Sequence, residues 1–385
     1  MGPLTGLRIL ELEAVGPVPF CGMMLADMGA DVLLVDRRDD PGLGVDRERR
    51  FDAMRRGRRS VTLDLKSARG AQVVLALAGK ADALIEGFRP GVMERLGLGP
   101  QTLLDSNPRL VIGRMTGWGQ DGPMAPRAGH DIDYIALSGV LHAIGRAGGA
   151  PVPPLNMLGD FGGGGMMLAF GVVSALLETQ RSGRGQVIDA AMVEGSGLLA
   201  TMVWGMRAAG TWRDERGVNA LDTGAPWYDV YQTSDGMHFA VGAIEPKFYA
   251  DLLARLGIAG EALPAQHDRG GWPALRERLA RAFAGKTRDE WDAIFAGSDA
   301  CAAPVLSFAE AAAHPHAKAR GAHVTVGGVT QPAPAPHFSR TPGAVRGAPP
   351  ERGAHGRAAL SDWGFDDAAI ERLRALGLGY ASQGA

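Results

Sequence analysis

Short apolar runs alternate with longer segments of helical periodicity along the first half of the chain. The runs are rich in Val, Ile and Leu and are bounded by turn-forming or charged residues. Strands that are apolar throughout are typical of a parallel sheet that is covered on both faces by helices. The pattern therefore predicts an α/β fold with strands at 8–12, 32–35, 61–65, 83–86, 110–116 and 186–189.

The first two strands and the predicted helix between them, 20–28, form a βαβ unit that ends at Asp36. Such a unit suggests a dinucleotide fold, in which glycines after the first strand let backbone N–H groups bind a pyrophosphate. In this chain the residues at 14–19 are instead Ala-Val-Gly-Pro-Val-Pro. Because proline has no N–H group, the sequence argues against binding of a nicotinamide dinucleotide.

The stretch 129–165 carries the most informative polar residues. Asp131 or His130 is the predicted N-cap of a helical segment that runs to Leu141, and Asp160 precedes four glycines and a second apolar helix. Both polar positions could simply be helix caps. However, helix N-termini also present free N–H groups to an enolate, a phosphate or a thioester oxygen, and glycines let a ligand approach the backbone. His130 and Asp160 are therefore candidate catalytic residues.

Beyond a long apolar helix predicted at 192–209, the composition changes near Arg213, where Gly, Asp and Asn become frequent. Glu245 ends a short strand and precedes a proline, which is favoured at the first position of a helix. This part of the chain predicts a smaller α+β unit, followed by a Pro- and Ala-rich return segment. The predicted elements are strands at 227–230 and 237–241, helices at 248–256, 272–283 and 289–295, and a final helix at 367–376.

Composition narrows the class of protein. The chain has 385 residues, of which 46% are hydrophobic and 21% charged, as expected for one large or two ordinary globular domains. The net charge of -2 gives no general attraction to nucleic acid. Two cysteines, Cys21 and Cys301, are too few for a disulfide framework or a metal cage. We see no signal-peptide pattern and no apolar run approaching the roughly 18 residues of a membrane span, so we expect a cytoplasmic enzyme without a membrane partner.

Seven arginines cluster between Arg47 and Arg59, just before a predicted buried strand. A solvated face is the ordinary explanation of such a run. Guanidinium groups can also bind phosphates through two parallel hydrogen bonds, so the cluster is a candidate anion site. Arg89 follows the strand 83–86 and is therefore predicted at the carboxyl end of a strand, where open α/β sheets bind ligands.

Short motifs spread over nearly the whole chain occur at 6–12, 24–32, 89–97, 129–131, 159–160, 185–191 and 242–246. They include Gly-Leu-Arg-Ile-Leu-Glu-Leu near the start and Gly-Ala-Ile-Glu-Pro around Glu245. Together they resemble the alpha-methylacyl-CoA racemase branch of the class III CoA-transferase family. The resemblance implies a large Rossmann-like domain built from 1–210 and 330–385, a small α+β domain at 225–325, and an interlocked homodimer.

The same resemblance implies roles for individual residues. Asp160 matches a position that transferases and racemases of the family share, whereas His130 and Glu245 match the racemase pattern. These three residues are the implied catalytic set, and no metal site or cofactor is implied because CoA is part of the substrate. The implied contacts to CoA are Arg37, Arg56, Arg89 and Tyr134.

The chemistry of racemisation fits these residues. Inversion at C2 of an acyl thioester needs an acid and a base on opposite faces of a planar enolate, and neither needs to be a metal. His130 and Asp160 can exchange protons with C2, while Glu245 orients the imidazole. We therefore predict a racemase or epimerase for 2-methyl-branched acyl-CoA thioesters, in lipid metabolism. The sequence leaves open which acyl group is used and what the segment 349–385 does.

Two other functions remain open at this stage. A class III CoA-transferase would use Asp160 as a nucleophile that forms a mixed anhydride with the acyl group. Such an enzyme has no need of His130 and Glu245, so the presence of both residues favours the racemase. A noncatalytic CoA-binding dimer would show affinity for acyl-CoA without turnover, and the polar residues at two helix starts argue against it.

Overall fold

The computed structural model describes residues 2–67 and 69–381 of the chain. Its largest sheet has six parallel strands in the order β3-β2-β1-β4-β5-β6. A three-stranded antiparallel sheet, β7-β8-β9, and a hairpin, β10-β11, complete the strands of the described part. The strands are β1 Arg8–Leu12, β2 Asp31–Asp36, β3 Arg59–Thr62, β4 Ala83–Glu86, β5 Val111–Thr116, β6 Val187–Ala191, β7 Tyr228–Gln232, β8 His238–Gly242, β9 Ala302–Pro304, β10 His323–Val326 and β11 Val329–Pro332.

Helices connect the parallel strands and cover the sheet. The apolar helix that follows the glycine run packs on β5, where Gly113 leaves room for Leu168 and Val172. The α-helices are α1 Pro17–Asp27, α2 Gly70–Ala78, α3 Val92–Arg95, α4 Pro100–Ser106, α5 Asp131–Leu137, α6 Val140–Ala143, α7 Met167–Ser182, α8 Met192–Leu199, α9 Thr201–Ala208, α10 Pro246–Arg255, α11 Trp272–Phe283, α12 Arg288–Phe295, α13 Phe308–Ala313, α14 Pro315–Ala319, α15 Gly356–Asp362 and α16 Asp367–Ala375.

The strand order confirms the predicted α/β fold with a Rossmann-like parallel sheet. Every residue of β4 and β5 is buried, because helices pack on both faces of the sheet. The strands of this sheet nevertheless bury four charged side chains, Glu11 of β1, Asp36 of β2, Glu86 of β4 and Arg114 of β5. The order of the strands reverses at β1 and β4, and the crevice at the carboxyl ends of two such strands is the usual ligand site of this architecture.

The chain divides into two compact units. The first contains Met1–Ser138, Leu155–Leu199 and Pro315–Ala385, and the second contains Gly139–Pro154 and Ala200–His314. These ranges differ from the predicted division at 139–154 and 200–210, which belong to the second unit, and at 315–325, which belong to the first. A long-range hydrogen bond within the second unit holds the segment 139–154: the Arg216 side chain donates to the Gly149 carbonyl oxygen at 2.8 Å.

The second unit has an aromatic core between its antiparallel sheet and its helices. Phe239 of β8 and Phe283 of α11 are fully buried, and their rings stack with centroids 5.7 Å apart. Trp291 and Phe295 of α12 pack against the same rings. A capping box formed by Thr287 and Glu290 opens α12.

Apolar side chains between Ala359 and Leu378 belong to the core of the first unit, so the C-terminal segment has a structural role there. Trp363 is fully buried, and its indole N–H donates to Asp31 Oδ2 at 2.9 Å. The backbone N–H of Thr62 donates to the Gly379 carbonyl oxygen at 2.8 Å, so the segment also pairs with β3. Residues 382–385 lie outside the described part of the chain.

Two predicted helices are shorter in the structure. The helix from Asp131 ends at Leu137 because Gly139 adopts a left-handed conformation with φ 84°, a geometry that glycine adopts readily. The long helix predicted at 192–209 is divided into α8 and α9 at Ala200, whose ψ of 9° departs from helical geometry.

The expectation that no apolar run reaches the length of a membrane span is wrong. Met157–Ser182 is one continuous helical segment that is long and apolar enough to cross a membrane, by length and composition only. Its most apolar window of 18 residues has a mean hydropathy of 1.5, since no charged residue occurs between Asp160 and Glu178. Core helices of soluble proteins satisfy the same criterion, and 44% of this window is buried inside the protein.

Candidate active site

Three loops at the carboxyl ends of parallel strands of the first unit converge. Gly87 follows β4 and packs against the loop after β1, since a Cβ atom at this position would lie 2.9 Å from Val18 and 3.2 Å from Ala14. Gly117 follows β5 and lies directly against the Tyr134 ring, where a Cβ atom would overlap Cε1. The site is therefore formed where the order of the strands reverses, as the fold class predicts.

Gly16, in the loop after β1, faces the carboxylate of Asp160. Its φ of 65° favours glycine, and a Cβ atom here would lie 3.3 Å from Asp160 Oδ2. Gly16 is also the residue that precedes α1, which begins with a proline at its first position. A side chain at Gly16 would thus both strain the loop and crowd the carboxylate.

Asp160 lies in the first turn of a π-helix, Met157–Met166, that continues into α7. The expectation that Asp160 precedes a helix at the glycine run is therefore wrong, because the helix begins three residues earlier and Asn156 is its N-cap. Small residues allow this geometry: Gly163 passes so close to Ser196 of α8 that a Cβ atom would be 2.5 Å from its backbone nitrogen. π-Helical turns are rare and often occur at functional sites.

Two hydrogen bonds fix Asp160. Asn156, one helical turn earlier, donates from Nδ2 to Asp160 Oδ2 at 3.0 Å, and the backbone N–H of Asp160 donates to Asp131 Oδ1 at 2.7 Å. Burial raises the pKa of Asp160, and the charge of Asp131 acts in the same direction, while the Asn156 bond and His130 lower it. Asp160 and His130 are therefore within electrostatic reach of each other.

His130, one of the two residues predicted as N-cap, is the N-cap of α5, with extended backbone geometry. Its own N–H donates to Asp133 Oδ2 at 2.9 Å, which completes one side of a capping box. The imidazole is exposed, so it is accessible to a substrate.

Tyr134 lies one turn after His130 and forms a wall of the same site. Its hydroxyl donates to the Gly129 carbonyl oxygen, and its ring meets Trp118 edge to face with centroids 4.8 Å apart. Burial raises the pKa of Tyr134 to about 12, and the charge of Asp160 adds to the effect. Tyr134 is thus a neutral hydroxyl group at neutral pH.

Comparison with known proteins adds to this geometry. The sequence pattern of CoA-transferase family III matches residues 4–356. The alpha-methylacyl-CoA racemase of Mus musculus is 49% identical over 373 residues, 96% of each chain, and a succinyl-CoA:glutarate CoA-transferase of the same organism is 30% identical over 98% of this chain and 90% of its own. The crystal structure of a CAIB/BAIF family protein from Brucella suis has a TM-score of 0.80 at 28% identity and covers 94% of this chain and 99% of its own. The chain belongs to CoA-transferase family III.

Membership of CoA-transferase family III confirms the resemblance that the motifs indicated, including the resemblance to the racemases. The relatives also confirm that the chain is an enzyme and an isomerase. The four residues implied as CoA contacts have different surroundings. Arg89 is exposed, has no side-chain hydrogen bond to another described residue, and is close enough to Tyr134 to lower the pKa of its hydroxyl. Arg37 is half-buried, and its backbone N–H donates to Glu13 Oε2 at 2.7 Å.

Arg56 is not available to a ligand in this structure. Its side chain is 3% exposed, and Nη2 pairs with Asp27 Oδ2 at 2.5 Å. Nη1 donates to Gln331 Oε1 and to the Pro332 carbonyl oxygen, both at 2.8 Å. The arginine run was predicted to be a solvated face or an anion site, and neither prediction holds for Arg56, because its buried guanidinium holds α1 and the return segment together.

Glu245 belongs to the second unit, where it is exposed and is the N-cap of α10. Its backbone carbonyl accepts the Tyr249 N–H at 3.0 Å. Partial burial raises the pKa of the Cys301 thiol, and the nearby Glu245 carboxylate raises it further. The pairing of Glu245 with His130 stays a prediction.

Sequence reasoning missed Asn156 and the carboxylate of Asp131. The spacing of Asn156 and Asp160, four residues apart, would have brought the two side chains together if the helix had been predicted to begin before the glycines. Asp131 was considered only as an alternative helix cap. Within the described ranges, no group of three His, Cys, Asp or Glu side chains is arranged to hold a metal ion.

Proposed function

We propose that this enzyme inverts C2 of 2-methyl-branched acyl-CoA thioesters by moving a proton onto one face of an enolate and off the other. The observation that supports this most directly is the hydrogen bond from the Asp160 N–H to the carboxylate of Asp131, which joins Asp160 to the residue that follows His130 at the carboxyl edge of the parallel sheet. A carboxyl group whose pKa is raised by burial is better matched to a reaction in which it must both accept and donate a proton. The high identity to alpha-methylacyl-CoA racemases supports the same reaction.

In this proposal, one base removes the C2 proton of one epimer and leaves an enolate conjugated to the thioester. The other group, in its protonated form, then delivers a proton to the opposite face of C2. Asp160 begins as carboxylate and ends as acid in one direction, while His130 begins as imidazolium and ends neutral.

A CoA-transferase remains the alternative because relatives with that activity share the fold. In that reaction the Asp160 carboxylate attacks the thioester carbonyl, the C–S bond breaks, and CoA leaves as the thiolate. A carboxylate that shares its surroundings with a second carboxylate and is fixed by Asn156 could also act as such a nucleophile. The exposed His130 beside Asp160 favours the racemase.

One experiment separates the two reactions. The protein is incubated in heavy water with a single epimer of a 2-methylacyl-CoA thioester, with and without an acceptor carboxylic acid. The racemase predicts deuterium at C2 and formation of the other epimer in both samples. If C2 keeps its hydrogen while the acceptor acid acquires CoA, the transferase is correct and the racemase proposal is wrong.

The exposed guanidinium of Arg89 leads to a prediction about CoA. We expect Arg89→Ala to raise KM by about 10- to 150-fold with a smaller change in kcat, because a charge-assisted hydrogen bond to a phosphate contributes about 1.5–3 kcal/mol. Steady-state kinetics with the acyl-CoA measures both constants. Arg95→Ala, which removes another exposed cation of the next helix, is the control. An unchanged KM in Arg89→Ala would remove Arg89 from the CoA site.

We also propose a homodimer, with the interlocked arrangement that the resemblance implies. On α7 the side chains of Phe170, Val173 and Leu177 are 70%, 40% and 51% exposed and follow one face of the helix. An exposed apolar stripe of this kind marks an interaction surface. A second copy of this chain is the partner that we propose for it.

We expect Phe170→Glu to shift the protein from dimer toward monomer, because a carboxylate on the apolar stripe would have to lose its hydration in the interface. Sedimentation velocity across a concentration series measures the shift. Gln72→Glu places the same new charge on the exposed side of α2 and should leave the dimer intact. A variant Phe170→Glu that sediments like the wild type would show that α7 is not in the interface.

The cytoplasm remains our proposed location, without a membrane or nucleic-acid partner. The support is the near-neutral net charge and the presence of two free cysteines, Cys21 buried and Cys301 exposed. A place in lipid metabolism follows from the proposed substrate class, and no further cofactor is proposed because the proton transfer uses side chains alone.

A further inference from the structure

Asp131, the first residue of α5, is a buried carboxylate that the proposed proton transfer does not use. It is 6% exposed, and Oδ1 accepts the backbone N–H of Asp160 at 2.7 Å. Oδ2 is buried and has no hydrogen-bond partner among the residues that the structure describes. Burying an ionisable oxygen without a partner is unfavourable, so the arrangement calls for an explanation.

The packing around Asp131 shows that its position is closely fixed. A Cβ atom at Gly159 would lie 2.5 Å from Asp131 Oδ1 and 2.9 Å from its Cγ, so the first turn of the π-helix rests directly on this carboxylate. The hydrogen bond therefore joins α5, whose N-cap is His130, to the peptide of Asp160. One side chain thus links the two segments that carry the proposed acid and base.

We propose that Asp131 is a positioning residue for Asp160, which anchors the Asp160 peptide through Oδ1 and places a second negative charge beside the reacting carboxyl group. This inference rests on the proposed function of Asp160 as a base and acid. Loss of the anchor would displace the Asp160 carboxyl group from C2, and loss of the charge would make Asp160 a weaker base.

Charged and polar groups from several elements surround Asp160. From α5 come His130, which lowers the pKa of Asp160, and Asp131, which adds to the raising effect of burial. The Asp160 charge also raises the pKa of the Tyr134 hydroxyl on the same helix, after burial, so this group is neutral. Asn156, the N-cap of the π-helix, and the backbone of Gly16, which precedes α1, also face Asp160, while Glu194 of α8 is exposed to solvent.

Two substitutions separate the anchor from the charge. Asp131→Asn keeps the shape and an oxygen that can accept the Asp160 N–H, but it removes the charge. We expect the acid limb of kcat/KM to move to lower pH for the epimer whose proton faces Asp160. Asp131→Ala removes the anchor as well, and we expect kcat to fall about 10- to 100-fold, as displacement of a catalytic group by about 1 Å does, with a smaller change in KM. Asp105→Asn, at an exposed position of α4, is the control and should leave both unchanged.

A titration that does not depend on activity distinguishes this proposal from the proposed function. Carbon-13 NMR of protein labelled at the aspartate carboxyl groups follows Asp160, whose signal is assigned by its loss in Asp160→Asn. A lower Asp160 pKa in Asp131→Asn supports the charge, even if wild-type protein shows no exchange at C2. An unchanged Asp160 pKa and an unmoved acid limb would overturn the charge effect. A folded Asp131→Ala with wild-type kcat would overturn the anchor, and Asp131→Asn still tests the charge if that variant does not fold.

Discussion

Replacing Asp160 with Asn should abolish epimerisation while leaving hydrogen exchange from one epimer. The amide fills the same space but cannot take up a proton, so C2 can no longer be deprotonated on the face next to Asp160. The epimer whose hydrogen faces His130 can still lose that proton to the imidazole and regain a deuteron on the same face. Removing a general acid–base group typically costs about 10²- to 10⁴-fold in rate, and we expect a loss of epimerisation of at least this order.

The measurement is deuterium incorporation at C2, together with the ratio of epimers, starting separately from each pure epimer in heavy water. His130→Ala should show the mirror pattern, with exchange retained from the other epimer. Glu178→Gln, which neutralises an exposed carboxylate farther along the same continuous helix, is the matched control and should behave as the wild type. Exchange from both epimers in Asp160→Asn would show that Asp160 is not one of the two bases.

The fold could be predicted because its main signal is local. The strands of the large sheet are short apolar runs, and β1 and β4 were located to the residue because Arg8, Leu12, Ala83 and Glu86 mark the limits of such runs. Their parallel order follows from the alternation of strands with helices. The interruption at Ala200 could not be predicted in this way, since Ala is a strong helix former and nothing in the local sequence marks it as an end.

The site was only partly predictable for a related reason. His130 was found because a helix start has a local signature, whereas the π-helix around Asp160 depends on close packing against α8, which involves Gly163 and Ser196. The burial of Arg56 depends on Asp27 and on Gln331, which are distant from it in sequence. Within a run of seven arginines, local sequence does not reveal which guanidinium groups are paired inside the protein.

The interior of the large sheet holds a further example of such pairing. Glu11 of β1 is fully buried, and Arg58 Nε donates to its Oε2 at 3.0 Å, with both side chains almost completely removed from solvent. Burial raises the pKa of Glu11, although the neighbouring charge of Arg58 lowers it. Arg58 also donates to the carbonyl oxygens of Met54 and Pro19, so one guanidinium joins β1, α1 and the segment before β3.

We expect Arg58→Met to lower the free energy of unfolding by about 3–5 kcal/mol, because it leaves the Glu11 charge buried without a partner. Equilibrium unfolding in urea measures the change, with the slope of the transition checked for a constant unfolded state. Glu11→Met combined with Arg58→Met removes both charges, and the double variant should be more stable than Arg58→Met alone, although the carbonyl oxygens of Met54 and Pro19 still lose a donor. Arg50→Met is the matched control, since Arg50 and Glu48 form an ion pair at 2.6 Å with both side chains more than half exposed, and such pairs contribute about 0–1 kcal/mol. If Arg58→Met and Arg50→Met have equal effects, then burial of the Glu11 charge is not what makes Arg58 necessary.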